Sequence, residues 1–342
     1  MSVAINGTNG VTYNDGSLQA SAPVGKNKII NGDMRIDQRN AGASATTTSS
    51  TYMVDRFQLY ASTVTNAQTY QQVTDAPAGF SHSLKITNSS TAQAAGSAAL
   101  YTPRQRIEGY NTAHLNWGTS DAKTVTVSFW VKASVTGTYP FAINNGSFNR
   151  SFVANYTISS ANTWEYKTVI VAGDTLGTWN VDNSSGMVVM FSLDTNSSYE
   201  TSTVDAWQTG SFRATSSNVH FLANASATWQ ITGVQLEANT TATPFEYLQY
   251  GQQYALCQRY YQTLMDCNQS YVNTGQHVGG RCQFNTEMRA NPTITSAVLE
   301  SGNVNNSYVY HKQSSNSFGY YHSASAAGNF YWYAVFTMSS EL

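Results

Sequence analysis

Three tryptophans stand beside turn-forming or amide residues, in the pairs Trp117-Gly118, Trp179-Asn180 and Trp207-Gln208. A flat indole ring covers the apolar face of a pyranose, and neighbouring amide groups take its hydroxyls. Ordinary packing of aromatic side chains produces the same pattern. The sequence therefore predicts these three tryptophans as candidate sugar platforms, with core packing as the alternative.

A second aromatic group lies between residues 308 and 333 and is rich in tyrosine. Flat side chains lose little conformational entropy when they stack on a sugar ring. Packing between identical protomers would use the same side chains, so both roles stay open. The candidates for sugar contact in this group are Tyr308, Tyr310, Tyr320, Tyr321 and His322.

The acidic residues form no catalytic pattern. A glycoside hydrolase needs two carboxylates facing one cleft, but the 19 Asp and Glu residues fall mostly in predicted turns. Glu165 and Glu237 lie in predicted strands, where a solvated strand face is the simpler interpretation. The six histidines form no HxH or HExxH motif, and the three cysteines have no CxxC spacing. We therefore expect no catalytic residue, no metal site and no enzyme activity.

The charge balance excludes further partners. The 342 residues include 17 Lys and Arg against 19 Asp and Glu, a net charge of −2. A chain so close to neutral lacks the basic stripe of a phosphate-backbone binder, so nucleic acid is not an expected partner. No apolar run approaches the roughly 18 residues of a membrane span, and the first thirty residues show no signal-peptide pattern. We expect no membrane insertion.

Strand patterns dominate the elements that must position these residues. Val125–Lys132 alternates apolar and mostly polar residues, whereas Met187–Phe191 is apolar on both faces and predicts a central strand. In Trp229–Glu237 the apolar parity flips at Gly233, which predicts a β-bulge. About ten short strands over roughly 200 residues predict an all-β fold, a jelly-roll sandwich spanning residues 28–247.

Three further segments flank this body. Residues 1–27 are predicted to be an attachment segment, with a short hairpin that turns at Asp15-Gly16. Residues 248–269 are predicted to be a helical linker, because Leu256, Tyr260 and Leu264 recur at helical spacing in the segment 252–264. Residues 270–342 return to strands and predict a small β tip domain.

Several stretches resemble bacteriophage tail-fibre proteins. The resemblance covers 10–22, the opening 28–39 (KIINGDMRIDQR), the junction 231–261 (ITGVQLEANTTATPFEYLQYGQQYALCQRYY) and 284–293 (FNTEMRANPT). It implies a fibre of the virion, assembled in the host cytoplasm. The short N-terminal hairpin and the Tyr-rich tip have too few Leu and Ile residues to be stable alone, so we expect a homotrimer that buries them. The resemblance further implies that residues 1–27 bind another virion protein and that the fibre binds a host surface polysaccharide or lipopolysaccharide.

The predicted jelly roll also resembles carbohydrate-binding modules of the four/nine type. An Asn-Gly near the start and a strand like Val125–Ala133 recur in those modules. They often hold a structural calcium through a carboxylate after the Asn-Gly motif and an aspartate in the last strand. Arg35 and Thr232 occupy the nearest matching positions here, so we expect no cofactor.

These observations lead to one functional hypothesis and two alternatives. The hypothesis is a non-enzymatic, homotrimeric phage virion fibre that binds host surface glycan during adsorption, with the tip or the jelly roll carrying the receptor site. The first alternative is a structural capsid-decoration or tail-assembly protein that binds no receptor. The second is a glycan-degrading tailspike.

Overall fold

The computed structural model describes residues 4–6, 10–12, 18–19, 25–311 and 313–342, with side chains described over 25–304 and 313–342. In this part of the chain the structure is nearly all β. Two short helices are α1 (Gly109–Thr112) and α2 (Tyr250–Gln258). None of the described helices is long and apolar enough to cross a membrane.

The strands are β1 (Ala4–Asn6), β2 (Gly10–Thr12), β3 (Leu18–Gln19), β4 (Ala45–Thr47), β5 (Thr51–Val54), β6 (Phe57–Ser62), β7 (Gln68–Val73), β8 (Ser83–Thr87), β9 (Leu100–Glu108), β10 (Val125–Ala133), β11 (Gly137–Asn145), β12 (Arg150–Ile158), β13 (Glu165–Val171), β14 (Ser185–Phe191), β15 (Asp194–Thr195), β16 (Trp207–Thr209), β17 (Thr228–Glu237), β18 (Tyr261–Val272), β19 (His277–Gln283), β20 (Thr293–Gly302), β21 (Val304–His311), β22 (Ser317–Ala324) and β23 (Gly328–Ser339).

The chain divides into two compact units, and the division does not follow chain order. Unit 1 comprises Met1–Arg35, Ser44–Thr51 and Gln58–Tyr247. Unit 2 comprises Ile36–Ala43, Tyr52–Phe57 and Leu248–Leu342. Two short segments from the predicted jelly-roll range therefore belong to the same unit as the predicted tip, and the four-part division drawn from the sequence stays a prediction.

Unit 1 is an antiparallel sandwich of two sheets, which confirms the all-β jelly-roll expectation. Sheet I has the order β13-β10-β17-β8-β7-β4, and sheet II contains β16-β12-β11-β14-β9-β6. Aromatic side chains fill the space between them. Phe129 of sheet I packs edge-on against Phe191 and Tyr156 of sheet II, at ring-centroid distances of 5.0 and 5.1 Å. Such contacts stabilise the core beyond simple apolar burial.

The two detailed strand predictions in unit 1 are confirmed. Strand β14 lies between β11 and β9 in sheet II, and its residues Ser185–Phe191 are all buried. The register between β10 and β17 shifts between Ser128 and Trp130, opposite Gly233, whose φ is 63°. The extra residue of the bulge switches which side chains of β17 face the core.

The predicted N-terminal hairpin is present in the described backbone. Thr12 pairs with Leu18 and Val11 with Gln19 in the small sheet β1-β2-β3. Its turn, at 13–17, lies outside the described residues, as do 1–3, 7–9 and 20–24.

Unit 2 contains helix α2 and two three-stranded sheets, β18-β23-β20 and β19-β22-β21. The predicted helix over 252–264 is too long, because α2 ends at Gln258 and β18 begins at Tyr261. Leu264 pairs with Phe336 of β23 in a continuous antiparallel ladder. These non-local hydrogen bonds decide the conformation of a segment whose spacing alone favours a helix.

A buried ionic network holds the two early segments of unit 2. Arg39 donates to Asp55 at 2.7 Å and to Glu341 at 2.9 Å, and Arg56 forms a further ion pair with Glu341. The Arg56 guanidinium lies 3.5 Å from the ring centroid of Tyr260. Burial raises the pKa of Asp55 to about 6, although the charge of Arg39 acts in the opposite direction.

Candidate functional site

An aromatic surface lies on the outer face of sheet I. Val127, Phe129 and Val131 of β10 point into the core and are fully buried. Because side chains alternate along a strand, Trp130 faces outward. It stands directly opposite Tyr166 of β13, with the two ring centroids 5.3 Å apart.

The segment after β17 supplies the other wall of this surface. Gln235 of β17 donates to the carbonyl of Thr243 at 3.1 Å and accepts from the backbone N–H of Glu246 at 2.8 Å. These bonds hold Phe245 against Phe80 at a centroid distance of 5.2 Å and against Tyr247 at 5.0 Å.

The two walls enclose an open cavity of about 480 Å³, which we call the aromatic groove. Tyr166 and Tyr247 are 45% and 58% exposed, so they present ring surface to solvent. The groove is lined by Ala78, Phe80, Ser128, Trp130, Tyr166, Gly233, Pro244, Phe245 and Tyr247.

The bulge glycine makes room for this arrangement. A Cβ at Gly233 would lie 2.7 Å from Phe80 and 3.1 Å from Trp130. The left-handed φ of Gly233 is also one that other residues adopt only with strain. The bulge therefore positions two groove aromatics as well as the strand itself.

An ion pair lies beyond Trp130 on the same face of β10. Lys132 pairs with Asp75, whose carboxylate also accepts a hydrogen bond from the indole N–H of Trp164 at 3.3 Å. The hydrogen bond from Lys132 is the largest cause that lowers the pKa of Asp75 below its usual value. This carboxylate is therefore held ionised and paired.

The structure brings the three sequence-predicted tryptophans together at a second place in unit 1. Their ring centroids lie 4.7 Å apart for Trp117 and Trp179, 5.2 Å for Trp117 and Trp207, and 5.4 Å for Trp179 and Trp207. Trp117 is buried at 7% exposure, and the other two are half-buried. All three indole N–H groups donate to backbone carbonyls, at 2.7 to 3.2 Å.

A pocket of about 180 Å³ opens beside this cluster, and we call it the Trp pocket. Trp117, Trp179, Asn116 and Asn180 are among its lining residues. The pocket thus combines rings and amides, and sugar binding by the three tryptophans stays a prediction.

The predicted aromatic candidates of unit 2 do not form one exposed platform. Tyr320 and His322 are buried at 3% and 2% exposure, and His322 packs against Trp332 at 4.4 Å. Burial and a hydrogen bond to Asp266 raise the pKa of Tyr320. Tyr321 is half-buried against His277. The backbones of Tyr308 and Tyr310 pair with β22, and their side chains lie outside the described residues.

The two strand carboxylates are occupied by structural bonds. Glu165 pairs with Lys167 at 2.6 Å and accepts the backbone N–H groups of Ser159 and Ser160. Glu237 is buried at 2% exposure and accepts from Thr243, so it is not on a solvated face as the sequence suggested. The chain segment that follows β17 covers this carboxylate and takes the place of solvent.

The metal expectation concerns Arg35 and Thr232, which occupy the positions nearest to the calcium ligands of the carbohydrate-binding modules. Arg35, which occupies a position matching a calcium ligand, forms an ion pair with Asp33. The guanidinium thus supplies positive charge beside this carboxylate. Among the described residues, no group of three or more His, Cys, Asp or Glu side chains is placed to hold a metal ion.

The sequence patterns did not single out the groove residues. The available signal was Trp130, which interrupts the polar face of the Val125–Lys132 alternation. A tryptophan at a position of the strand that faces solvent indicates an aromatic ring on the surface. Trp130 meets Tyr166 because β10 pairs with β13, and it shares the groove with Tyr247 because the segment after β17 folds back over sheet I. Neither contact has a local signature in the sequence.

No protein-family model matches the sequence, and no curated protein sequence matches it. Among solved structures, the enzymatically active domain of bacteriophage CBA120 tailspike protein 4 is similar over 63% of this chain and 22% of that chain, at 12% identity and a TM-score of 0.32. This chain therefore spans about a fifth of that tailspike chain.

The CBM22-1 xylan-binding domain of Paenibacillus barcinonensis Xyn10C is similar over 65% of this chain and 100% of that chain, at 9% identity and a TM-score of 0.29. A protein of Bacteroides thetaiotaomicron to which sugar binding is ascribed is similar over 62% of this chain and 100% of that chain. The identity is 12% and the TM-score is 0.32. Likenesses at such TM-scores carry no weight for function.

Proposed function

We propose that this chain is a non-enzymatic phage virion fibre protein that binds a host surface glycan through the aromatic groove. One observation carries the glycan-binding role: Trp130, Tyr166 and Tyr247 line one open groove of about 480 Å³. The glycan is a polysaccharide or lipopolysaccharide of the host surface.

The physical basis is the match between flat rings and sugar faces. Tyr and Trp offer large contact area at low entropic cost, and each has a polar atom for a hydroxyl. Tyr166 and Tyr247 are already held by neighbouring rings, with Trp130 at 5.3 Å and Phe245 at 5.0 Å. A preorganised site of this kind loses little freedom on binding.

The residues that line the groove support the non-enzymatic part of this proposal. Its lining residues, all in the described part of unit 1, include no Asp or Glu. A glycoside hydrolase mechanism requires two carboxylates at the scissile bond. Asp75, the carboxylate beyond Trp130 on this face, is paired with Lys132.

The virion and trimer parts of the proposal are supported by the sequence. The segments 10–22 and 231–261 resemble tail-fibre proteins, and residues 1–27 would attach to another virion protein. Three copies would multiply a weak single-site affinity by avidity. The fibre would be assembled in the host cytoplasm.

Binding of the full chain to host envelope polysaccharide tests the glycan-binding role. We expect Trp130→Ala and Tyr166→Ala each to weaken binding about tenfold or more, in the range of interface aromatic anchors. Tyr110→Ala is the matched control, because Tyr110 is 62% exposed and is not among the groove residues. Unchanged affinity in both groove variants would contradict the proposal.

The Trp pocket is the second candidate site, favoured by its tryptophans and the adjacent amides of Asn116 and Asn180. The variant Trp179→Ala distinguishes the two candidate sites. Among the described residues, the ring contacts of Trp179 are with Trp117 and Trp207 and not with residues of the aromatic groove. Loss of binding in Trp179→Ala alone would assign the glycan to the Trp pocket. Absence of glycan binding by the unmodified chain would favour the structural capsid or tail-assembly role, and release of reducing ends would reveal a tailspike enzyme.

A further inference from the structure

Three arginines from two distant segments of the chain meet on the outer face of sheet II. Arg104 and Arg106 are two residues apart on β9 and so share a face. Arg213 comes from the segment after β16. The guanidinium carbons of Arg104, Arg106 and Arg213 lie 5.8, 5.2 and 5.0 Å from the ring centroid of Phe148. Three positive charges are thus gathered around one aromatic ring.

Arg213 is buried and has unmet hydrogen-bonding capacity. It is 5% exposed, and its Nη2 donates to Ser211 at 3.2 Å. Its Nε and Nη1 are buried and have no hydrogen-bond partner among the described residues. Burial lowers the pKa of Arg213, Tyr199 and Tyr60 act in the opposite direction, and the charge of Arg106 lowers it further.

A second buried group on the same face has unmet hydrogen bonds. Asn144 is fully buried, and neither its amide nitrogen nor its oxygen has a partner among the described residues. Val188 pairs with both Arg106 and Asn144, so these two residues are two strand spacings apart, about 10 Å. Buried polar atoms without partners each cost stability and require an explanation.

We propose that this cluster, which we call the arginine site, binds an anionic group, a carboxylate or a phosphate. The planar guanidinium fork matches both groups and holds them through charge-assisted hydrogen bonds. Such an anion would accept from the buried, unpartnered Nε and Nη1 of Arg213 and offset the repulsion from Arg106. The half-buried rings of Tyr60 and Tyr199 flank the arginines, at 5.6 and 4.8 Å from the Arg213 guanidinium carbon.

The arginine site goes beyond the proposed glycan-binding role and does not depend on it. Its residues belong to sheet II and its connections, whereas the aromatic groove lies on sheet I. The two sites also differ in chemistry: the aromatic groove binds by ring stacking, which does not depend on the charge of the ligand, whereas the arginine site requires an anion. The source of the anion is either an acidic sugar or a phosphate.

Thermal unfolding of the full chain at constant ionic strength tests the site. The probes are inorganic phosphate and glucuronate, with chloride as the ionic control and glucose as the uncharged control. We expect the midpoint to rise with phosphate or glucuronate and not with chloride or glucose, since a ligand that binds only the folded state stabilises it. The probe that acts identifies the source of the anion.

Variants locate the effect. Arg213→Met keeps the apolar stem and removes the charge, so it should abolish the anion-dependent shift. If that variant does not fold, Arg106→Gln at the half-buried position should weaken anion binding about tenfold, the range of a hydrogen bond to a charged group. Arg281→Met in unit 2 and Trp130→Ala in the groove should respond like the unmodified chain. A midpoint that no anion shifts beyond chloride, or a shift retained in both site variants, would overturn the proposal.

Discussion

Arg150 and Asp174 form a buried, two-point ion pair in the part of unit 1 that carries the Trp pocket. The guanidinium donates through Nε and Nη2 to the two carboxylate oxygens, both at 2.7 Å. Asp174 also accepts the backbone N–H of Leu176 through its side chain, and its carbonyl accepts from Gly118. Asp174 therefore contacts the turns beside both tryptophans: its carboxylate bonds near Trp179, and its backbone carbonyl bonds near Trp117.

We expect Asp174→Ala to lower the free energy of unfolding by about 3–5 kcal/mol, because it leaves the Arg150 charge buried without its partner. Urea denaturation measures the loss. Asp121→Ala, at an exposed position in the same unit, should change stability by no more than about 0.5 kcal/mol.

The double variant Arg150→Met/Asp174→Leu should be less destabilised than Asp174→Ala, since it removes both charges together. Equal losses in the single and double variants would mean that the ion pair is not the cause.

Single residues also show what sequence patterns can and cannot predict. The residue types of the Trp pocket were recognisable, because ring-and-amide pairs are local. Their meeting was not, since Trp207 reaches the cluster only because β16 pairs with β12. In β22, the consecutive residues Tyr320, Tyr321 and His322 all carry rings. The sequence therefore shows no alternation that would reveal that Tyr320 and His322 face the core.

At the scale of elements, the bulge in β17 links strand pairing to the aromatic groove. The parity flip at Gly233 is a local signal, and it predicted both the strand and its irregularity. The order of strands in the two sheets has no comparable signal, because it depends on contacts between residues far apart in sequence. The same reason explains the end of α2, where pairing of β18 with β23 takes over from helical spacing.

Gly233→Ala should lower the free energy of unfolding by about 1–3 kcal/mol, the range for a non-glycine residue held at such a φ, and should also weaken glycan binding. The new Cβ would push on Phe80 and Trp130. Urea denaturation and a polysaccharide binding assay measure the two effects.

The control is Gly275→Ala in unit 2, because Gly275 also has a positive φ of 76° but a Cβ added there would meet no atom within 4 Å. This variant should carry the backbone strain without the loss of glycan binding. Equal effects on binding in the two variants would show that the groove does not depend on the bulge.

At the scale of the whole molecule, the outer face of the sheet β18-β23-β20 carries an accessible row of apolar residues. Met265, Val335 and Ala297 stand side by side across its three strands, and Met265 is 70% exposed. Tyr271, further along β18, is 78% exposed. Exposed apolar patches of this kind mark interaction surfaces, and in a homotrimer identical copies would cover them.

We expect light scattering to report three times the chain mass for the unmodified protein and a smaller assembly for Met265→Asp, because a buried charge opposes association. Leu176→Asp, at a 62% exposed position in unit 1, should leave the assembly unchanged. A stable monomer of the unmodified chain at micromolar concentration would contradict the trimer.

The ionic network of unit 2 sets a condition on protein synthesis. The ribosome adds Glu341 285 residues after Arg56. At a synthesis rate of about 5–20 residues per second, roughly 15–60 s pass between the addition of Arg56 and that of its partner carboxylate. During that interval a nascent chain carries an arginine whose folded position is buried. A chain that stops before Glu341 would lack this carboxylate, so we expect the ion pair of unit 2 to form only after residue 341 has been added.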